Sequence, residues 1–195
     1  MNRNARFAKF ALAAALLTIA VATQAAPIIL TTTLNGANEL PNPVPSPGTG
    51  VATVTLDPTA QTLQLAIAFS GLTSNVQAAH IHCCAAPGAN AGVATTIPAF
   101  PGFPLGATSG VYSSQVFDLT QPLIYNPAFV TNNGGLAQAA AALIAGLLAG
   151  NTYLNIHTVN FPGGEIRGQL AVPEPATLAL LGLAIAALGF ARRNQ

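Results

Sequence analysis

Val51–Leu56 (VATVTL) and Thr62–Phe69 (TLQLAIAF) alternate apolar with polar residues on either side of Asp57-Pro58-Thr59-Ala60. Successive side chains of a strand point to opposite faces, so Leu63, Leu65, Ile67 and Phe69 line one face. One buried face and one wet face is the pattern of antiparallel strands. Ile28–Leu34 (IILTTTL), Gln77–His82 and Val111–Leu119 read as further strands, the first because it is rich in β-branched residues. The segments between them cannot be central strands. Asn35–Gly50 holds four prolines within seven residues, and Ala86–Gly110 is interrupted by Pro87, Pro98, Pro101 and Pro104. Short strands with turns between them predict an all-β fold, an antiparallel β-sandwich. One segment departs from this pattern. Gly135–Ala149 (GLAQAAAALIAGLLA) is predicted to be an inserted Ala-rich helix that packs on the sandwich, since Gln138 is its one polar residue.

Charge is scarce and unevenly placed. Only 6% of the 195 residues are charged, and the whole chain carries a formal +1. Five of its six cations (Arg3, Arg6, Lys9, Arg192, Arg193) lie near the two ends. Between residues 26 and 172, Arg167 stands against Glu39, Asp57, Asp118 and Glu165, a net charge of about −3. Nucleic acid is excluded as a partner on this ground, because it requires clustered Lys and Arg to displace counterions from phosphates.

Both ends read as processing segments. Residues 1–25 have a basic start, an apolar run from Ala11 to Ala22, and small residues in Thr23-Gln24-Ala25. That is the layout of a secretory signal peptide, with signal peptidase cutting after Ala25. Residues 172–195 read VPEPATLALLGLAIAALGFARRNQ: Pro173-Glu174-Pro175, an apolar stretch over 176–191, then Arg192-Arg193. At about 1.5 Å per residue, that stretch is just long enough for a thin transmembrane helix, with the Arg pair held on the cytoplasmic side. The order of parts resembles the PEP-CTERM sorting signal of Gram-negative bacteria. The resemblance implies an exosortase-type enzyme as a partner, which recognises Pro-Glu-Pro and removes the tail. It implies an intermediate tethered to the inner membrane, then delivery to the cell surface or an exopolysaccharide matrix. An exopolysaccharide or a surface protein is the partner expected there.

The middle of the chain carries three further motifs. They are Leu34-Asn35-Gly36-Ala37-Asn38-Glu39-Leu40-Pro41, then Ala79-His80-Ile81-His82, then Tyr153–Thr158 (YLNIHT) followed by Pro162–Leu170 (PGGEIRGQL). In this order they resemble the CHRD domain, over residues 28–171. The resemblance implies a β-sandwich of immunoglobulin-like or superoxide-dismutase-like form and leaves the biochemical activity open. Members often carry a glycine soon after the second histidine. Cys83 and Cys84 stand there instead, so the following loop is expected to differ.

The polar residues of these motifs fall on shared faces. His80 and His82 point the same way, as do Asn155 and His157, and as do Glu165, Arg167 and Gln169. Pro162-Gly163-Gly164 lets the last two strands pair as a hairpin, which sets His157 opposite Glu165. Three readings follow, the third being a contact to a substrate or ligand. In the first, His80, His82 and His157 bind zinc or copper, with Glu165 or Glu39 adding an oxygen. In the second, with no cofactor, they form a structural polar network to which Glu39, Asn155, Arg167 and Gln169 belong: Glu165 pairs with Arg167 or with a histidine N–H, and the histidines satisfy backbone groups. A superoxide dismutase also uses His-x-His on a sandwich, but its two-metal site needs more than three histidines, so that likeness concerns the fold alone.

Cys83 and Cys84 have three readings: a vicinal disulfide, two thiols, or soft metal ligands. Their Cα atoms, about 3.8 Å apart, lie below the usual disulfide range. The even count and an exported chain still favour the disulfide. Catalytic signatures are missing: Ser70 and Ser113-Ser114 lack a nucleophile elbow, and Gly134-Gly135 lacks the Lys-Ser/Thr of a phosphate loop. The sequence therefore predicts an exported, non-enzymatic β module with a binding or structural role, and metal binding as the alternative.

Overall fold

In the computed structural model of the protein, residues 26–173 are described. The segments read as a signal peptide (1–25) and an apolar tail helix (176–191), with Glu174, Pro175, Arg192 and Arg193, lie outside these residues. Among the described residues, no helix is long and apolar enough to cross a membrane.

Eight strands form one continuous curled antiparallel sheet. They are β1 Ile28–Asn35, β2 Thr49–Asp57, β3 Thr62–Ser70, β4 Val76–Cys83, β5 Gly110–Ser113, β6 Phe117–Asp118, β7 Thr152–Thr158 and β8 Ile166–Leu170. The order across the sheet is β4-β7-β8-β1-β2-β3-β5, with β6 also paired to β3. The alternating stretches form the meander β1-β2-β3, in the register Leu30↔Val54↔Leu65 and Leu34↔Gly50↔Phe69. The β2–β3 turn is fixed locally, because Asp57 Oδ1 accepts from the backbone N–H of Thr59 at 2.9 Å and of Ala60 at 2.8 Å. The two parts of the sheet meet where β1 crosses β8. Gly168 is required there, since a Cβ would run into Thr32 Oγ1 and the Thr33 carbonyl.

The apolar faces of both parts enter one buried cluster. Leu30, Leu34, Val54, Leu56, Leu63, Leu65 and Ile67 meet Ile81, Leu154, Ile156, Ile166 and Leu170. An all-β antiparallel fold was expected, and the strands of its two layers turn out to join edge to edge. The stretch Val111–Leu119 is not one strand. It breaks after Ser113, where Ser114 Oγ accepts from Leu65 N–H at 2.9 Å and donates to the Gln115 carbonyl at 2.7 Å. A side chain takes over a ladder bond there, and the strand resumes as β6.

Two helices follow. The short α1, Pro127–Asn132, was not anticipated, although Asn126-Pro127 is a start signal: Asn126 Oδ1 caps Ala128 N–H at 3.0 Å and proline holds the first turn. The second, α2, spans Leu136–Leu148 within the predicted helical stretch and buries Ala139, Ala140, Leu143, Gly146 and Leu147. Gly146 is the point of closest approach. A Cβ there would lie 2.6 Å from Cys83 Sγ and 2.9 Å from Cys84 Sγ.

Gly146→Ala tests this packing, because two effects oppose each other. Alanine gains about 1 kcal/mol of helix propensity over glycine. The two sulfurs are bonded to each other and cannot rotate away, and overpacking costs about 1–3 kcal/mol. The overlap outweighs the gain: the variant is expected to lose up to about 2 kcal/mol of unfolding free energy in urea. A stabilised variant would show that α2 is not seated on the cysteine pair.

Candidate metal centre and its polar surround

β4, β7 and β8 lie side by side, with His80↔Asn155↔Arg167 and His82↔Tyr153↔Gln169 in register. Their apolar side chains enter the core. Strand alternation sends His80, His82, Tyr153, Asn155, His157, Arg167 and Gln169 to the other face. That face is covered. Every residue of β7 is buried, and His80, His82 and His157 are 6%, 8% and 7% exposed.

The cover is the loop after β4, residues 84–91, which bonds down to the polar face. His82 Nδ1 lies 2.9 Å from the Ala91 carbonyl, and Tyr153 Oη donates to the same carbonyl at 3.2 Å. Arg167 Nη1 donates to Asn90 Oδ1 at 2.6 Å and Nη2 to the Ala89 carbonyl at 2.7 Å. Asn90 Nδ2 continues to the Leu40 carbonyl at 3.3 Å, which ties the cover to the Asn35–Pro41 segment. Beneath it, the Arg167 guanidinium carbon sits 3.4 Å from the Tyr153 ring centre. The His82 ring stacks on Tyr153 at 4.6 Å, with only 7° between planes. Since β7 lies between β4 and β8, the cation and the imidazole flank the phenol from opposite sides, a desolvated cation–π arrangement.

The three histidines converge. One ring nitrogen of each lies within 4.8 Å of the others, and His80 Nδ1 is 3.2 Å from His82 Nε2. That separation is close to the roughly 3.4 Å edge of a tetrahedron with zinc–nitrogen bonds of about 2.0–2.1 Å. Tautomers follow from the partners. A carbonyl oxygen only accepts, so His82 Nδ1 must donate to Ala91, and His157 Nδ1 must donate to Pro162 at 3.0 Å. Each ring's Nε2 then carries a lone pair. His82 Nε2 takes the proton of His80 Nδ1. His157 Nε2 is buried with no hydrogen-bond partner among the described residues. His157, pinned through Nδ1 and open at Nε2, has the form of a metal-ligating histidine, while His80 Nδ1 and His82 Nε2 share one proton here and would both turn a lone pair to a metal once His80 carries its proton on Nε2.

The remaining polar residues divide between this face and another place. Glu165, grouped with the histidines by its spacing from His157, is directed elsewhere. The strand begins only at Ile166, after Gly164 at φ 132. The Glu165 carboxylate accepts from Thr158 Oγ1 at 2.5 Å, Ser46 Oγ at 2.6 Å and Thr73 N–H at 2.7 Å. Thr158 alternates to the face opposite His157. Glu165 thus joins three segments and leaves the histidine group. Gln169 donates from Nε2 to the Gly150 carbonyl at 2.7 Å. Glu39 and Asn155 do meet, Asn155 Nδ2 donating to Glu39 Oε2 at 3.3 Å, while Glu39 Oε1 and Asn155 Oδ1 have no hydrogen-bond partner. Both oxygens crowd Gly164, where a Cβ would lie 2.7 Å from each. Cys83 and Cys84 are joined as a disulfide, with Cys83 Sγ facing the core and α2 rather than the histidines. Sequence reasoning missed the cover and the Ser46–Thr73–Thr158 cradle. Tyr153 was legible, since it shares the alternation of Asn155 and His157.

A family model of the CHRD domain matches residues 30–170, nearly all the described chain. The chain belongs to the CHRD domain family. A model of the PEP-CTERM protein-sorting motif matches residues 171–193. That motif implies processing by an exosortase-type enzyme, export, and surface localisation. Neither family is known for enzymes. No curated protein and no solved structure matches the chain. In this CHRD domain the first motif supplies Glu39 and the far anchor of the cover, while the second and third supply the histidines. Asn35 caps the first motif's turn through Asn38 N–H at 3.0 Å, and Asn38 Nδ2 donates to the Arg167 carbonyl at 3.0 Å.

Burial sets the protonation states. It is the largest cause holding His80 down to about 3, with His157 and His82 adding to it. Burial likewise holds His82 down to about 4, against the Ala91 bond and with His157 and Arg167 adding to the fall. His157 is lowered by burial, against the Pro162 bond. Burial raises Glu39 to about 7, against the Asn155 bond and Arg167. For Glu165, burial pushes upward, but the bonds from Ser46, Thr158 and Thr73 together win and its pKa is lowered.

The signs yield a pH prediction for metal-free protein. A histidine whose folded pKa is depressed contributes stability above its ordinary value of 6.5, lost as pH falls toward the folded value. Glu39, raised from 4.5, contributes stability at low pH that is lost as pH rises through about 7. Urea midpoints are therefore expected to fall steeply below pH 6.5. Glu39→Gln is expected to gain on wild type as pH rises through about 7. A wild-type midpoint level from pH 7 to pH 4 would contradict the burial of neutral imidazoles.

Proposed function

We propose that the mature CHRD protein is an exported, non-enzymatic β module that holds one zinc or copper ion through His80, His82 and His157, outside the cell. The observation that carries the reading is the buried, unpartnered Nε2 of His157 facing two other histidines. A buried lone pair without a donor is costly, and a metal ion would satisfy it. Burial keeps all three rings neutral at pH 7, the form that binds metal. Glu165 belongs to the fold in this reading, because its oxygens are engaged by Ser46, Thr73 and Thr158. The cover formed by residues 84–91 favours a held ion over turnover of a substrate, since it seals the ligand atoms from solvent.

In the same reading, residues 1–25 are removed as a signal peptide. The stretch 176–191 tethers the intermediate in the inner membrane of a Gram-negative envelope until an exosortase-type enzyme acts at Pro173-Glu174-Pro175. The product passes to the surface or an exopolysaccharide matrix. The PEP-CTERM match over 171–193 supports this route.

Elemental analysis of protein recovered after export tests the metal. About one equivalent of zinc or copper is expected, falling below a tenth in His157→Ala. Less than about a tenth in wild type would end the proposal. Restoring metal at a hundredfold excess over its Kd should add about 2.7 kcal/mol of stability. Intact mass tests the route: the exported chain should begin at Ala26 and lack Arg192-Arg193, and a full-length mass would refute it.

A further inference from the structure

A second recess lies on the far side of Cys83 from the histidines. It is a cavity of about 520 Å³ between the end of β4, the segment at Gly92, and the α1–α2 corner. Its volume is within the usual range for small-molecule pockets. The walls include Cys83, Cys84, Phe129, Asn132 and Asn133, and among the described residues no ionisable side chain lines it.

The chemistry of the walls is specific. The two sulfurs are bonded to each other and carry no proton, so their approach to the Ala142 carbonyl, at 3.8 Å and 3.4 Å, is contact rather than hydrogen bonding. They present a fixed apolar floor without donors. Phe129 stands beside it, half-buried and stacked on Tyr125 at 6.4 Å with 10° between planes. The rim is made of amides. Asn133 Nδ2 donates to the Phe129 carbonyl at 2.8 Å, which fixes the side chain while its Oδ1 can still accept. Asn132 is exposed at the end of α1 and offers both donor and acceptor. Asn126 is already engaged, since its Oδ1 caps Ala128 and its Nδ2 donates to the Val93 carbonyl at 3.1 Å, tying α1 to the neighbouring wall. Gly92 leaves the mouth open, with no atom within 4 Å of where a Cβ would stand.

We infer that this recess binds a neutral glycan. A pyranose ring has an apolar C–H face and a rim of hydroxyls that both donate and accept. The disulfide and Phe129 match the face, and the asparagine amides match the rim. A charged ligand would be desolvated without a counter-charge. A purely apolar ligand would cover the amides and leave them unpaired. The inference does not depend on the histidine centre, because the recess lies on the other side of β4.

The test uses the exported protein, in which the absence of tryptophan makes calorimetry preferable to fluorescence. The probes are maltotriose, cellotriose and triacetylchitotriose, with a galacturonate trimer as charged control. At least one neutral probe is expected to bind, with affinity reduced tenfold or more, about 1.4 kcal/mol, in Asn132→Ala. The same loss is expected after reduction by a water-soluble phosphine. That step consumes one phosphine and one water: the phosphine gives two electrons to the disulfide, water supplies the two protons of the two thiols, and its oxygen leaves on the phosphine as the oxide. Chelation with EDTA should leave binding unchanged, which separates this site from the metal centre. Asn132 is exposed, so its replacement leaves the fold intact. Failure of all neutral probes, tighter binding of the galacturonate trimer, or affinity insensitive to either perturbation would overturn the assignment.

Discussion

β7 is buried along its whole length, on both faces. One face meets the apolar core. The other carries Tyr153, Asn155 and His157, which an ordinary antiparallel strand would show to water. Sealing a polar face obliges each of its donors to find an acceptor close by. The Ala89, Ala91 and Pro162 carbonyls and the Asn90 amide meet that obligation. The irregular cover over this face is therefore a structural requirement. It must place backbone oxygens at fixed points above three strands, which no regular element can do.

The few charges of the domain can be read from the same need. Asp118 is exposed and Asp57 half-buried, and each caps a turn with its Oδ1, which accepts from backbone N–H groups two or three residues on. Glu165 is fully buried, yet its pKa falls because three donors converge on it. Glu39 is almost as buried with one long bond, and its pKa rises. The two buried carboxylates take opposite directions because of the number of donors each receives. Among the described residues Arg167 faces no acid at bonding distance, and it is held by two oxygens of the cover and the Tyr153 ring.

Much of this was legible in the sequence, and the rest was hidden for physical reasons. Alternation placed β2 and β3 within two residues, because burial on one side leaves a period-two trace. The same rule grouped His80 with His82 and Asn155 with His157. It failed for Glu165, since the rule holds only inside a strand and the chain leaves strand geometry at Gly164. It failed again at Ser114, where a hydroxyl replaces a ladder bond without disturbing the apolar pattern. The cover was invisible because it acts through carbonyl oxygens, which every residue has. Alanine and asparagine at 89–91 carry no signature of that work.

The strand order also fixes when the domain can be completed. β1, β2 and β3 pair with their immediate neighbours in sequence, but β4 enters the sheet only through β7. β7 reaches the meander only through β8, whose last residue, Leu170, is followed at once by the sorting motif. A chain exported from its N-terminus therefore delivers His80 and His82 long before the strand that holds them. The non-local closure that seats them is slow in kind. The strand that completes the polar centre and the sorting motif are thus immediate neighbours in the chain.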